Sequence, residues 1–398
     1  MKKGAFRLPD WWRRFVVVAP FALVLLYAVA AVSFAAVASD AVPARVLPLY
    51  PANGPALSAL AKNSLLEAEG TQLAQAHASS SLMQSPIGPE ALRTLALVSE
   101  LRNDRARAAE LMSSAFSFDR RDLGISLWMI EEHVRRGDVP GALRHYDIAL
   151  RISRRAQDVL FPVLIEAAEN QELLPQLAGM IGQGTAWADP FGDALIESDI
   201  QPEAKVALAD RLSGKPSFGA PFREKLVANL VASDEFILAA QVAGRTRGYD
   251  PVLEAALNLP AGQGPFEWKL ANGYQVETAV EERDGRPYLY VSIDPEFRDS
   301  PARVLLTLPP GRYRLAARSA DPVAGVRSRW QVACAQAGGA VLTELAFGRG
   351  RSETTFAVPG NCYAQRLSLQ LSSIASSPDD VQIEVSELSL VPLDRPQR

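Results

Sequence analysis

Residues 103–150 read NDRARAAELMSSAFSFDRRDLGISLWMIEEHVRRGDVPGALRHYDIAL and match themselves at a spacing of 34. Ala108 and Ala142 stand 34 apart, as do Met112 and Tyr146, Ala115 and Ala149, and Asn103 and Gly137. One step earlier the same frame meets Ala74, Ala78 and Ser81, followed by Pro86. The stretch is rich in Ala and Leu and poor in β-branched runs, which is a helical pattern. A small residue at a crossing point lets two helix axes approach, and a larger one fills the groove between neighbours. The spacing therefore predicts stacked helix pairs.

The segment 137–150 resembles the second helix of a tetratricopeptide repeat, with Ala142, Tyr146 and Ala149 in the small and aromatic places. Pro86 fills the family's terminal proline place in the first unit, whereas Arg120 and Arg154 stand there in the later ones. The likeness covers residues 55–154 and fails beyond, where Gln176 and Met180 fall in the register of Ala142 and Tyr146. Residues 160–181 and 220–257 still read as helical, with breaks expected at Gly182-Gln183-Gly184 and from Ser213 to Pro221. A degenerate α-solenoid over 55–260 is the expectation. The resemblance implies a groove for a peptide or protein partner; a helical spacer is the competing reading.

Toward the C-terminus the period changes at Ala261-Gly262-Gln263-Gly264-Pro265. Alternation by two takes over. Phe266, Trp268 and Leu270 share one face; Leu289, Val291 and Ile293 share another, with Tyr288 and Tyr290 opposite. Trp330, Val332 and Cys334 alternate, as do Leu367, Leu369 and Leu371, then Val381, Ile383 and Val385. A phase shift to Leu388 and Leu390 predicts a bulge near Ser386. Asp284-Gly285 predicts a tight turn, and Pro309-Pro310-Gly311 predicts a hairpin joining 304–308 to 313–317. Nine or ten short strands over 265–393 predict an all-β antiparallel sandwich, jelly-roll-like. The architecture is similar to that of carbohydrate-binding modules. Cys334 and Cys362 are the only cysteines. In an exported domain they form a disulfide; two buried thiols are the alternative.

Toward the N-terminus, Phe15 to Ser39 contains no charged residue. As a helix at about 1.5 Å per residue it outreaches a bilayer core of about 30 Å. Lys2, Lys3, Arg7, Arg13 and Arg14 precede it against Asp10 alone, and Asp40 follows before the first basic residue, Arg45. That bias keeps residues 1–14 in the cytoplasm and sends the bulk across the membrane. Trp11 and Trp12 suit the interface. A retained signal anchor at 15–39 is the first reading. A cleaved signal peptide is the second, because Ala36-Val37-Ala38 fits a small-x-small site. Residues 40–54, with three prolines, read as an extended linker. The Arg- and Ala-rich usage points to a GC-rich bacterium, and so to the inner membrane and periplasm.

The whole chain has 398 residues, 48% hydrophobic and 22% charged, a net charge of −4 and a mean hydropathy of +0.01. A charge this close to zero argues against nucleic acid as a partner. With two cysteines and three histidines, no metal or cofactor is expected. His77, His133 and His145 fall in the helical region and read as packing or surface residues. No nucleophile motif is present, and Glu277, Glu281, Glu282, Asp294 and Glu296 show no spacing that marks a glycosidase pair. No catalytic residue is assigned. One constellation suggests binding: Tyr288 and Tyr290 on one strand with Arg312 and Arg314 on another, forming a platform if the strands share an open face. Aromatic faces stack on sugars and guanidinium pairs with carboxylates. The sequence thus describes a membrane-anchored multidomain chain: transmembrane helix, all-α tetratricopeptide-like solenoid, all-β sandwich. The leading reading is a non-enzymatic periplasmic scaffold in envelope or exopolysaccharide assembly. The alternatives are a carbohydrate-binding protein or an enzyme acting on envelope polysaccharide.

Overall fold

The computed structural model describes residues 10–67, 70–244, 257, 261–262, 264–294, 296–319, 326–336, 338–373 and 380–393. The chain forms two compact units, Met1–Leu160 and Phe161–Arg398.

The first unit holds α1 (Asp10–Ala38), α2 (Pro43–Val46), α3 (Gly54–Ser64), α4 (Thr71–Gln84), α5 (Pro89–Leu101), α6 (Arg105–Phe118), α7 (Leu123–Arg135) and α8 (Val139–Ile152). Helix starts recur at the predicted spacing of 34, from Thr71 to Arg105 to Val139 and from Pro89 to Leu123. Ala74, Ala78, Ser81, Ala108, Met112, Ala115, Ala142, Tyr146 and Ala149 are all buried. The matched pair Asn103 and Gly137 has a physical cause. Both adopt the left-handed backbone, at φ 62° and 70°, in the turn between paired helices. Glycine takes this region freely, and Asn is enriched there among the other residues. The next residue, Asp104 or Asp138, caps the following helix by accepting the backbone N–H of Arg107 or Gly141.

His145 on α8 is buried, 3% exposed, with its ring stacked on His133 at 5.3 Å and edge-on to Phe116 at 4.8 Å. Its Nδ1 has no hydrogen-bond partner. Burial, with help from the nearby His133 and Arg144 charges, pushes its pKa down from 6.5 to about 4. The unfolded chain therefore binds a proton that the folded chain refuses between these values. Stability attributable to His145 is complete above about pH 6.5 and is lost as the pH falls toward 4. Urea titrations across this range should show a weaker pH dependence for His145→Phe than for the unmodified protein. Equal slopes would contradict the assignment.

The apolar stretch of α1 is uncovered: Phe21, Leu23, Val24, Leu25 and Leu26 are each more than 60% exposed. Phe21–Ala38 is apolar and long enough to cross a membrane, a property that a signal sequence shares. The last turns differ. Ala35 and Ala38 are buried in a cluster with Val46 and Ala56. Residues 40–54 are therefore not the extended linker that their prolines predicted. Pro43 opens the one-turn helix α2, where a proline's missing donor costs nothing, and Val46 is fully buried.

α9 (Arg154–Ala167) spans the boundary between the units, and the second unit continues with α10 (Leu174–Ile181), α11 (Ala188–Glu197), α12 (Pro202–Arg211), α13 (Ala220–Ala232) and α14 (Phe236–Val242). The predicted helix over 160–181 is two helices, interrupted between Ala167 and Leu174, where Asn170 caps a turn by accepting the Glu172 N–H. The expected break at Gly182–Gly184 falls between α10 and α11, and that at Ser213–Pro221 falls after α12, includes a single 3-10 turn at Pro216–Phe218 and ends in the first turn of α13. The expected helix to 257 is observed as far as Val242; residues 245–256 lie outside the described residues. Lys205 on α12 is buried and donates to the carbonyls of Ile196 and Ser198. A cation there satisfies the open C-terminal end of α11.

The sandwich comprises β1 (Lys269–Leu270), β2 (Val276–Arg283), β3 (Arg286–Ile293), β4 (Ala302–Leu306), β5 (Gly311–Ser319), β6 (Val326–Cys334), β7 (Val341–Ala346), β8 (Gly350–Val358), β9 (Gln365–Ser373) and β10 (Val381–Pro392). Two antiparallel sheets result, ordered β1-β4-β9-β6-β7 and β2-β3-β10-β5-β8. Their facing sides form one core that contains Trp268, Leu289, Val291, Leu315, Trp330, Val332, Leu367, Leu369, Ile383 and Leu390. The alternation read from the sequence is this core. Asp284-Gly285 is the β2–β3 turn, with both residues at positive φ, and the bulge falls between Val385 and Glu387.

The Pro309-Pro310-Gly311 hairpin is not formed. β4 pairs with β1 and β9, whereas β5 pairs with β10 and β8, so this link crosses from one sheet to the other. Consecutive prolines cannot donate to a ladder. Instead, buried Gln365 brackets the crossing: its Oε1 accepts the Leu308 N–H at 2.8 Å and its Nε2 donates to the Cys362 carbonyl at 2.9 Å. The Tyr313 hydroxyl donates to the Pro309 carbonyl at 2.7 Å. Cys334 and Cys362 form a disulfide, with Cα atoms 5.6 Å apart.

Candidate functional site

The outer faces of the two sheets differ in chemistry. On the β2-β3-β10-β5-β8 sheet, core-facing Leu289, Val291 and Ile293 leave Tyr288 and Tyr290 outward, and buried Tyr313 and Leu315 leave Arg312 and Arg314 outward. All four predicted residues therefore share one sheet face, but the sheet does not bring them together. β10 lies between their strands. Tyr290 pairs with Glu384 and Arg314 with Val391, an offset of about 20 Å along β10 at about 3.3 Å per residue. Alternation reveals the facing of each strand but not the strand order, and so not this separation.

The tyrosine end is already engaged. Glu281 accepts the Tyr288 hydroxyl, and this bond raises the phenol's pKa. The Arg283 guanidinium lies 4.6 Å over the Tyr288 ring and grips Glu384 with two bonds of 2.9 and 3.0 Å. Further along, Glu387 meets Arg318 at 3.2 Å and Arg351 at 3.6 Å. Charges here neutralise one another across strands, as cross-strand pairs do on a solvated face.

The β1-β4-β9-β6-β7 sheet carries a half-open groove of about 630 Å³ on its outer side. With Trp330 and Val332 in the core, β6 turns Arg327 and Arg329 outward; with Leu369 and Leu371 in the core, β9 turns Gln370 and Ser372 outward. The ladder sets Arg329 beside Gln370 and Arg327 beside Ser372. Arg298 and Asp299 supply one wall, and the Asp299 carbonyl holds that loop to β9 by accepting the Leu371 N–H. Glu344 lines another wall, accepting from Gln331 at 2.9 Å and lying 3.6 Å from Arg329. Phe347 forms the floor, its carbonyl accepting the Ser328 hydroxyl. Exposed Lys269, Arg303 and Arg366 extend this face, with Lys269 paired to Arg303 across β1 and β4. The basic residues Arg298, Arg327, Arg329, Lys269, Arg303 and Arg366 thus outnumber Asp299 and Glu344. Sequence reading missed this face. The signal was present: residues alternating with Trp330 and Val332 must point the other way, and two of them are arginines.

No family model matches the chain, and no curated protein matches it. Among solved structures, a CBM4 structure is similar at 14% identity and TM-score 0.25, covering 36% of this chain and 96% of that one. Pseudomonas aeruginosa pilF is similar at 13% identity and TM-score 0.23, covering 50% of this chain and 77% of that one. TmCBM61 in complex with β-1,4-galactotriose is similar at 12% identity and TM-score 0.23, covering 31% of this chain and 88% of that one.

Proposed function

We propose that the chain is a non-enzymatic scaffold or binding protein of the bacterial envelope, held in the inner membrane by α1 with its N-terminus in the cytoplasm. The helical array takes a protein partner and the sandwich presents a ligand surface in the periplasm, in envelope or exopolysaccharide assembly. The carrying observation is α1: its apolar side chains between Phe21 and Phe34, Ala31 apart, are exposed, while its final turns pack with Val46 and Ala56. Exposed apolar surface of this extent needs lipid, and the packed end makes the anchor continuous with the array. The same packing supports retention over cleavage after Ala38, whose side chain is buried.

Fractionation tests the anchor. The full-length chain is expected in inner-membrane fractions and should resist carbonate extraction. A soluble periplasmic species that lacks residues 1–38 would overturn it. Cross-linking from cysteines placed on α5 and α7 should capture an envelope protein; repeated failure would count against the scaffold role. The alternative of sugar binding by the sandwich is favoured by the groove on the β6 and β9 face. Because Asp299 and Glu344 both line that groove, release of reducing ends from an envelope polysaccharide by the purified protein would replace the non-enzymatic reading with the hydrolase one.

A further inference from the structure

We propose that the groove lined by Arg298, Arg327, Arg329, Gln370, Asp299 and Glu344 binds a carboxylated polysaccharide, a chain of uronate type. This rests on the sandwich being a ligand-presenting domain. The face is distinguished from its counterpart by charge. On the β2-β3-β10-β5-β8 sheet, Arg283, Arg318 and Arg351 are each matched to a glutamate, and Arg312 and Arg314, without an ion pair among the described residues, lie outside the groove. In the groove, Arg298 and Arg327 have no ion pair among the described residues, and Arg329 has only Glu344 at 3.6 Å. Uncompensated guanidinium groups in a concavity are a carboxylate site, because the planar fork matches both oxygens.

The remaining lining selects a polyhydroxylated ligand over an acidic peptide. Asp299 and Glu344 sit among the arginines. They accept hydroxyl donors from a sugar, which an acidic peptide side chain does not offer. Gln370 and Ser372 add donors and acceptors in the same rows as Arg329 and Arg327. Phe347 is buried as the floor and exposes no stacking face. Recognition therefore proceeds through hydrogen bonds and charge rather than through a ring platform, which fits an anionic glycan better than a neutral one. The groove's volume lies within the range of about 300–1,000 Å³ typical of ligand sites, and its open form admits a continuing chain.

The test uses the full chain in detergent micelles, with polygalacturonate as the probe. Its highly methyl-esterified form keeps the backbone and removes the charge; poly-glutamate keeps the charge and removes the sugar. Polygalacturonate should bind saturably. Affinity should fall by roughly tenfold or more for the methyl ester and for the Arg327→Gln/Arg329→Gln variant. Both arginines are exposed on a strand, and retention of the Cys334–Cys362 bridge and of the far-ultraviolet spectrum checks the fold. Arg312→Gln/Arg314→Gln on the other sheet should bind as the unmodified protein does. Three results would overturn the proposal: no binding of polygalacturonate, equal weakening by the Arg312/Arg314 variant, or poly-glutamate binding as tightly and losing affinity in the Arg327/Arg329 variant. The last would assign the groove to an acidic protein partner. None of these outcomes touches the anchor and array, which stand or fall on fractionation and cross-linking.

Discussion

Trp330→Ala should cost about 3–5 kcal/mol of stability, read as a lower urea midpoint with little change in the slope. Trp330 is fully buried on β6, edge-on to Trp268 at 5.9 Å and stacked near Phe347 at 6.4 Å. Removing the indole leaves a cavity directly under the groove floor, and a core packed from two rigid sheets collapses only in part around it. Trp330→Phe should recover more than half of the loss, because an aromatic ring still fills most of the site and the indole Nε1 has no hydrogen-bond partner to forfeit. If the Ala variant lost less than about 1 kcal/mol, Trp330 would not be the packed residue described.

Removal of the disulfide should have the next largest effect. Cys334 and Cys362 are 28 positions apart in sequence, and closing a loop of that size contributes about 3–4 kcal/mol in the chain-entropy model. The loop holds β7 and β8, which lie at the edge of different sheets. The bridge thus pins both edges on one side of the sandwich. Cys334→Ala/Cys362→Ala, or the unmodified protein under reductant, should unfold at markedly lower urea. An unchanged midpoint under full reduction, verified by alkylation mass, would refute a stabilising role.

Much of this molecule was legible because burial imposes a period. Seven of the nine buried positions in the 34-residue frame are Ala or Ser, since these helices have little room where they cross, and Met112 and Tyr146 fill the space between neighbours. Asn103 and Gly137 matched because one backbone conformation recurs. Alternation gave β3, β5, β6, β9 and β10 with both faces of each, but not β2 or β8, whose apolar residues are few. What alternation cannot carry is partnership. Nothing local in Pro309-Pro310-Gly311 distinguishes a hairpin from a crossing between sheets; the answer lies at Gln365, more than fifty residues on. The same limit hid the distance between the two halves of the predicted platform. Tyr288 and Arg314 do face the same way, but β10 enters between their strands from the far end of the domain. Arg298 reaches the groove from a loop that has no periodicity at all.

Strand order also governs how the sandwich can come into being. Among the ten strands, only β2 with β3 and β6 with β7 pair with a sequence neighbour. Every other ladder waits for a remote segment, as Val381 waits to meet Ile293 and Gln365 to meet Leu306. Closing such distant contacts makes assembly slow. β10, the last described strand, is central in its sheet and bonds to both β3 and β5. During synthesis β3 and β5 therefore present open edges until β10 emerges, and their sheet cannot be completed ahead of it. A chain made from its N-terminus would complete its helical array first and its sandwich last.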